Sequence, residues 1–531
     1  MDIRRRPGSS RAHRSLRAYG TAFAAVAGLL VPACSTGSST SSVSPAGSVA
    51  LRALPAATPS ALAPYYAQRP NWRACGVPGF ECATLKAPLD YAEPGGGDLR
   101  LAVARKKATG PGGRLGSLLV NPGGPGGSAV DYLQAYAGIG YPAKVRARYD
   151  MVAVDPRGVA RSEPVKCLDG RRMDRYTRTD TTPDDAREKG ELVEAFKRFA
   201  ESCGKRSAKL LRHVSTVEAA RDMDLVRAAL GDDRLTYVGA SYGTFLGATY
   251  AGLYPERVGR LVLDGAMDPS LPARRMNRDQ TAGFETAFRS FAKDCVSKPD
   301  CPLGGKGTTP ERVGRNLKAF FRELDSAPVG TGDADGRKLG EALATTGVIA
   351  AMYDEGAWPR LREALTTAVR DKDGAGLLAL SDSYYERGAD GRYANLMSAN
   401  AAVNCLDLPA AFGSPEEVEQ GIADFEKASP VFGEGLAWAS LGCAYWPVGP
   451  TGEPRRIEAK GSAPIVVVGT TRDPATPYRW ARSLAAQLSS GTLLTYDGDG
   501  HTAYGRGSAC IDEAINRYLL EGIPPKNGKR C

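Results

Sequence analysis

The sequence predicts an α/β fold: a mostly parallel sheet with helices on both faces and a large helical lid inserted before the last strands. Three observations predict it. Short apolar segments alternate with helical ones over residues 65–270 and again over 461–531, the pattern of strands buried on both faces. The octapeptide TYVGASYG puts Ser241 between Gly239 and Gly243 where an apolar strand gives way to a helix, and so sharp a turn tolerates only small flanking residues. Between 271 and 460 the alternation stops, and segments such as NRDQTAGFETAFRSFAKDC and SPEEVEQGIADFEKA read as helices.

In chain order, residues 1–33 carry six arginines followed by the short apolar run TAFAAVAGLLVPA, the pattern of a signal peptide. The run falls short of the roughly 20 residues a membrane span needs. VPAC then resembles a lipobox with Cys34 as the lipid-bearing residue, ordinary cleavage near Ala33 being the alternative. Residues 34–64, rich in Ser, Pro, Ala and Gly, read as a flexible tether, so folded structure is expected from Tyr65. LRLAVARKKA alternates as a strand should, SLLV is a strand running into the glycine-rich NPGGPGGS, and YDMVAVDPRG is again strand then turn. STVEAARDMDLVRAALGDD has an N-cap, helical spacing and a closing glycine. The strands RLTYVG and GRLVLDG flank the helix after Ser241, and APIVVVGTTRDPATP and TLLTYDGDGH supply the last two.

Composition narrows the function classes. With 42% hydrophobic and 24% charged residues the chain is globular, not disordered. Without residues 1–33, 63 basic and 58 acidic side chains remain, a balance of +5 with no basic block, so nucleic acid is not an expected partner. Beyond Cys34 there are ten cysteines, an even number that suits an exported, disulfide-bonded protein; neighbour-to-neighbour pairing is the simplest connectivity. No C-x-x-C occurs and only three histidines exist, so no metal or other cofactor is expected.

A serine nucleophile needs a neutral imidazole to take its proton and a carboxylate to orient that imidazole. His13 lies in the leader and His213 precedes the helix before the elbow, where a structural role is expected. Only His501, in the glycine-flanked YDGDGHTAYG, follows Ser241, as the order Ser, Asp or Glu, His in α/β-hydrolases requires. Asp473, after the strand of VVVGTTRDPATP, is the expected acid, with Asp264 the runner-up; Asp497 and Asp499 are expected to shape the histidine loop. The oxyanion donors are expected to be the N–H groups of Tyr242 and of Gly124 in NPGGPGGS, Gly123 being the alternative.

NPGGPGGS, DPRGVARS, GASYGTFLGATYAGLYPERV, LVLDGAMDP, NCLDLP, CAYWP, DPATPY and GHTAYG, in that order over nearly all of residues 70–531, resemble the secreted tripeptidyl aminopeptidase family of α/β-hydrolases, in particular its lipoprotein branch. The resemblance implies Ser241, Asp473 and His501 as the triad, Thr476 beside the acid, a lid over the site, and release of short peptides from free N-termini. Where related sites read HGGPG, this chain reads NPGGPG, so the oxyanion donor must be a backbone group. An aminopeptidase must also hold an α-ammonium; Asp407 in NCLDLP is the first candidate, followed by Asp354 and Glu355 in MYDEGAW. The expectation is thus an exported, lipid-anchored serine exopeptidase acting on peptides with free N-termini. A carboxylesterase on cell-envelope esters is the alternative, and a catalytically silent surface protein a third reading that the complete triad disfavours.

Overall fold

A computed structural model describes residues 49–531, so the expectations on the leader and on Cys34 lie outside the described residues. Ten strands form one sheet in the order β1-β2-β3-β5-β4-β6-β7-β8-β9-β10. They are β1 (Arg73–Ala74), β2 (Glu81–Pro88), β3 (Asp98–Lys106), β4 (Gly116–Asn121), β5 (Tyr149–Val154), β6 (Leu235–Ala240), β7 (Val258–Asp264), β8 (Ile465–Arg472), β9 (Gly491–Asp499) and β10 (Lys529–Arg530). β1, β2 and β3 pair antiparallel with their neighbours; from β5 to β10 every pairing is parallel. This is an α/β-hydrolase fold with helical insertions.

Burial on both faces explains the apolar runs. All six residues of β5 are buried, and so are Ile465–Thr470 of β8. β2 and β3, at the sheet's edge, alternate instead: in β3, Leu99, Leu101 and Val103 are buried while Asp98 and Arg100 are exposed. Local signals start the helices. The Ser215 and Asp185 side chains accept from backbone N–H groups at the starts of Thr216–Ala229 and Ala186–Ser207.

Between β7 and β8 the chain builds a helical lid around a phenylalanine-rich core of its own, including Phe284, Phe288, Phe291 and Phe321. The lid is not wholly separate. Between Ala402 and Ala459 most of its buried apolar residues, Phe432 excepted, belong to the same apolar cluster as β7, β8 and the helix Tyr242–Leu253. The disulfides among the described residues are Cys75–Cys82, Cys167–Cys203, Cys295–Cys301, Cys405–Cys443 and Cys510–Cys531, each joining cysteines consecutive in sequence.

Part of the expected tether is folded. The Leu51 N–H donates to Arg456 O at 2.9 Å, and the Leu54 N–H to Leu253 O at 2.8 Å. Leu51 and Leu54 pack on the main core. The segment around Leu51 and Leu54 is therefore folded although it precedes the expected Tyr65, because two leucines in a polar segment find an apolar groove that composition does not reveal.

Register decides where the chemistry sits. Asn121 of β4 lies beside Gly239 of β6, and Ala240 of β6 beside Asp264 of β7. The carboxyl ends of adjacent parallel strands thus deliver their loops to one crevice, the usual location of a ligand site in such sheets.

Candidate active site

Ser241 stands between β6 and the helix Tyr242–Leu253 with φ 57° and ψ −126°, a strained conformation for a residue with a side chain. A Cβ on Gly239 would lie 2.3 Å from Gly243 O, and one on Gly243 would lie 2.8 Å from Asn121 O, which is why both flanking positions are glycine. The Ser241 N–H donates to Asp264 O at 2.9 Å, and the Thr244 hydroxyl donates to Ser241 O at 2.6 Å. The elbow is held from both sides.

His501 Nδ1 lies 2.8 and 2.9 Å from the two carboxylate oxygens of Asp473. Asp473 also accepts backbone N–H bonds from Ala475, Thr476 and Thr502 at 2.9, 2.8 and 3.2 Å. An ionised carboxylate accepts all of these, so the shared proton belongs on Nδ1 and Nε2 is left as the base. Ser241 Oγ and His501 Nε2 are both buried without a hydrogen-bond partner among the described residues, which is the state expected of a nucleophile and base awaiting substrate. Thr476 Oγ1 lies 3.4 Å from His501 Nδ1.

Asp264 has a different task. It accepts the N–H groups of Ala503 and Tyr504, at 3.0 and 2.8 Å, and so holds the histidine loop; burial raises its carboxyl above the ordinary range. Asp497 and Asp499 pair with Arg472 at 3.0 and 2.9 Å, bracing the same loop from outside. In the glycine-rich loop the Gly123 N–H is spent on the Asn121 side chain at 2.8 Å. The N–H groups of Gly124 and Tyr242 carry no such bond among the described residues, which leaves them free to serve as the donor pair. A Cβ on Gly123 would lie 2.8 Å from both Ser241 Cβ and Tyr242 N, so the loop lies directly against the elbow.

The amine-binding candidates fare worse. Asp407 is buried, and both its oxygens are taken by Thr216: Oδ1 by the backbone N–H at 2.8 Å, Oδ2 by the hydroxyl. The Thr216 hydroxyl also contacts the Tyr242 hydroxyl at 2.5 Å. Asp407 therefore pins a lid helix to the helix beneath it and has no oxygen left for a substrate amine, which corrects its assignment. Burial pushes its carboxyl up to about 7. Asp354 is paired with Arg506 at 2.8 Å, and burial raises the Glu355 carboxyl while Arg506 and Arg472 oppose the shift. Asp354 is thus engaged, and Glu355 lies in the field of two arginines.

Sequence reasoning missed the residue beside them. The carbonyl of Tyr353 accepts the His501 N–H at 2.8 Å, and its ring meets the imidazole edge to face at 5.5 Å. Arg506 donates to His501 O at 2.9 Å and to Asp354, tying the lid to the histidine loop. Asn400 of the lid donates from Nδ2 to Pro125 O at 3.1 Å and so braces the glycine-rich loop. Nothing local in the sequence marks the contacts of Tyr353 with His501, Arg506 with Asp354 and Asn400 with Pro125, since each joins segments more than 100 residues apart. A cavity of about 180 Å³ lies on the His501 side, walled by Tyr132, Tyr136, Tyr353, Tyr504 and Arg506 and by Ala240 beside the nucleophile.

His213 lies far from this constellation in the hydrogen-bond network, with Asp90 and Glu218 each 3.9 Å from its Nδ1. These three ligand atoms lie within 4.8 Å of one another, but Arg157 holds the other Glu218 oxygen at 2.9 Å and already answers that carboxylate's charge. No described helix is long and apolar enough to cross a membrane.

Comparison with known proteins places these features in context. Residues 429–531 match the family model described as TAP-like protein, starting ahead of the 461 boundary expected for the C-terminal unit. The chain is 40% identical over 466 residues to the serine protease Hip1 of Mycobacterium tuberculosis, covering 85% of this chain and 87% of that one. It is 38% identical over 484 residues to carboxylesterase B of the same organism, covering 88% and 91%. The tripeptidyl aminopeptidase of Streptomyces coelicolor is 31% identical over 459 residues, covering 83% and 81%.

Proposed function

This chain belongs to the α/β-hydrolase family that includes the mycobacterial serine protease Hip1, carboxylesterase B and the Streptomyces tripeptidyl aminopeptidases, and on that premise we propose that it is a serine exopeptidase releasing short peptides from free N-termini. That it is a serine hydrolase follows from the family. The observation that carries the mechanism is the buried His501–Asp473 pair with an unpartnered Nε2, beside a strained serine whose Oγ is likewise unpartnered.

In the proposed cycle His501 Nε2 takes the Ser241 proton as Oγ attacks the scissile carbonyl. Asp473 keeps the ring in the required tautomer and stabilises the imidazolium. The N–H groups of Tyr242 and Gly124 receive the oxyanion, and no charge has to be imported into the buried site. His501 then protonates the leaving amine, and water, deprotonated by the same nitrogen, releases the acyl group.

Two of the three relatives carry peptidase names, which supports amide over ester hydrolysis; the likeness to carboxylesterase B supports an esterase as the second reading. A tripeptide p-nitroanilide with its amine free or acetylated, assayed beside p-nitrophenyl butyrate, separates them. Release of an intact tripeptide from the free-amine substrate, with the acetylated one at least ~10-fold poorer in kcat/KM, is the expected result. Ester hydrolysis alone would replace the exopeptidase reading with the esterase one.

The same proposal places the protein outside the cytoplasmic membrane, held by lipid on Cys34. Five disulfides suit an oxidising compartment. Cys34→Ala is expected to move the protein from the membrane fraction to the medium, read by immunoblot of the two fractions. Undiminished membrane retention would refute the anchor.

A further inference from the structure

A second cavity, of about 200 Å³, lies between the helices Gly170–Thr177 and Ala186–Ser207 of the main domain and the lid helices Glu341–Met352, Ala375–Tyr384 and Leu396–Asp407. It contains no triad residue, yet two of its wall residues reach the catalytic centre. Asn400 donates to Pro125 O of the oxyanion loop, and Tyr384 packs on Tyr353, whose ring lies on His501. The cavity is thus linked through its wall to the oxyanion loop and to His501, whereas the 180 Å³ cavity has His501 itself in its lining.

The wall chemistry is one-sided. Phe196, Phe199, Ile349 and Trp446 make most of it apolar, Glu341 is its one carboxylate, and no lysine or arginine lines it. Around Glu341 the nearest ionised groups are again mainly acids: Asp180, Asp325 of the helix Pro310–Ser326, and Glu434 of the helix Gly433–Ala439. Lys318 answers Glu434 at 3.3 Å, and Arg187 is engaged by Glu188 and Glu191 at 2.8 Å each. Glu341 has no cation of its own. Thr182 lies within hydrogen-bonding reach of both Asp180 and Glu341, and Asp180 Oδ2 is buried with no partner. Trp446, 7% exposed, has an indole N–H that meets no acceptor. An apolar chamber with an unpaired carboxylate and an unused donor is suited to a cation on an apolar stem that also offers a carbonyl.

We propose that this cavity binds the acyl side of the substrate and selects a primary ammonium group carried on an apolar stem, with Glu341 as its counter-charge. The proposal rests on the serine-hydrolase reading and deepens it by naming the substrate's charge. Two sources supply the same chemistry, a peptide α-ammonium and a lysine side chain. Glu341 replaces the candidates Asp407, Asp354 and Glu355, whose oxygens are engaged or which lie on the histidine side. Burial, with Asp180, Asp325 and Glu434 adding to it and Thr182 opposing it, pushes the Glu341 carboxyl up to about 7. The ammonium preference should accordingly be weak below that pH and grow as the carboxyl ionises above it.

The test compares substrate pairs within one enzyme preparation, so that the ratio is independent of the active fraction. The first pair is alanyl-alanyl-norleucine p-nitroanilide with its amine free or acetylated, which reads the α-ammonium. The second is the acetylated peptide with lysine or norleucine at the last position, which reads the side chain. The third is the p-nitrophenyl ester of 6-aminohexanoate against hexanoate, which needs no peptidase activity. The wild type is expected to favour the ammonium member of at least one pair by roughly 10- to 100-fold in kcat/KM. Glu341→Gln should bring that ratio to within about 2-fold of unity, and Glu341→Asp should keep part of it. Hexylammonium should also inhibit the wild type competitively at least ~10-fold better than hexanol, a measurement that needs no variant. Ratios near unity in every wild-type pair, a ratio that survives Glu341→Gln, or equal inhibition by the two hexyl compounds would each overturn the proposal. If only esters are cleaved, the exopeptidase reading fails and the ester pair still decides this one.

Discussion

Ser241→Ala is expected to lower kcat by about 10⁶-fold on any substrate the enzyme accepts, with rates measured against wild type at matched concentration. The size follows from the shared machinery: without Oγ there is no acyl-enzyme, and the oxyanion donors retain only the small catalysis they supply to a water attack. Stability should move the other way. Ser241 Oγ is a buried hydroxyl with no hydrogen-bond partner, so removing it relieves a desolvated group and should leave the urea midpoint unchanged or raise stability by up to ~1 kcal/mol. The alanine keeps the φ of 57°, so backbone strain is not relieved. Activity within 10-fold of wild type would remove Ser241 from the mechanism.

Asp473→Asn is expected to cost about 10⁴-fold in kcat with much less change in KM. The asparagine offers one acceptor oxygen where Asp473 now serves His501 and three backbone N–H groups. If its oxygen stays with the Ala475 and Thr476 N–H groups, its NH₂ faces His501 Nδ1. The imidazole then carries its proton on Nε2 and meets Ser241 as a donor, not a base. If the amide flips, backbone donors lose their partner in a buried site, at a cost of about 1–3 kcal/mol in unfolding free energy. Steady-state kinetics paired with urea unfolding separate the two effects. A loss in stability without a loss in kcat would mean that Asp473 only braces its loop, leaving Asp264 to be tested as the orienting acid.

Much of this architecture is legible in the chain because its causes are short-range. The elbow at Ser241 demands glycines at 239 and 243, since any Cβ there meets backbone within 3 Å. The fully buried β5 and β8 show as unbroken apolar runs, and the N-cap at Ser215 stands in the sequence as it does in the structure. Asp473 and Asp264 both follow or end strands, but among the described residues only Asp473 hydrogen-bonds the imidazole.

The expectations that failed concern contacts between distant segments. Asp407 stands in a segment that resembles a family motif, yet its two oxygens are bound by Thr216, 191 residues earlier. Tyr353 stands next to two residues chosen for their charge, and it is the one that touches His501. Leu51 and Leu54 in a serine- and proline-rich stretch gave no warning of the groove that receives them.

By itself, then, the sequence determined the sheet, the elbow and the order of nucleophile, acid and base, because strand burial, turn sterics and hydrogen-bond chemistry are set by residues a few positions apart. Only the tertiary structure decided which carboxylates are spent on partners inside the fold. That depends on desolvation and on partners brought together by lid docking, and a charged side chain's availability is a property of its surroundings, not of its own segment.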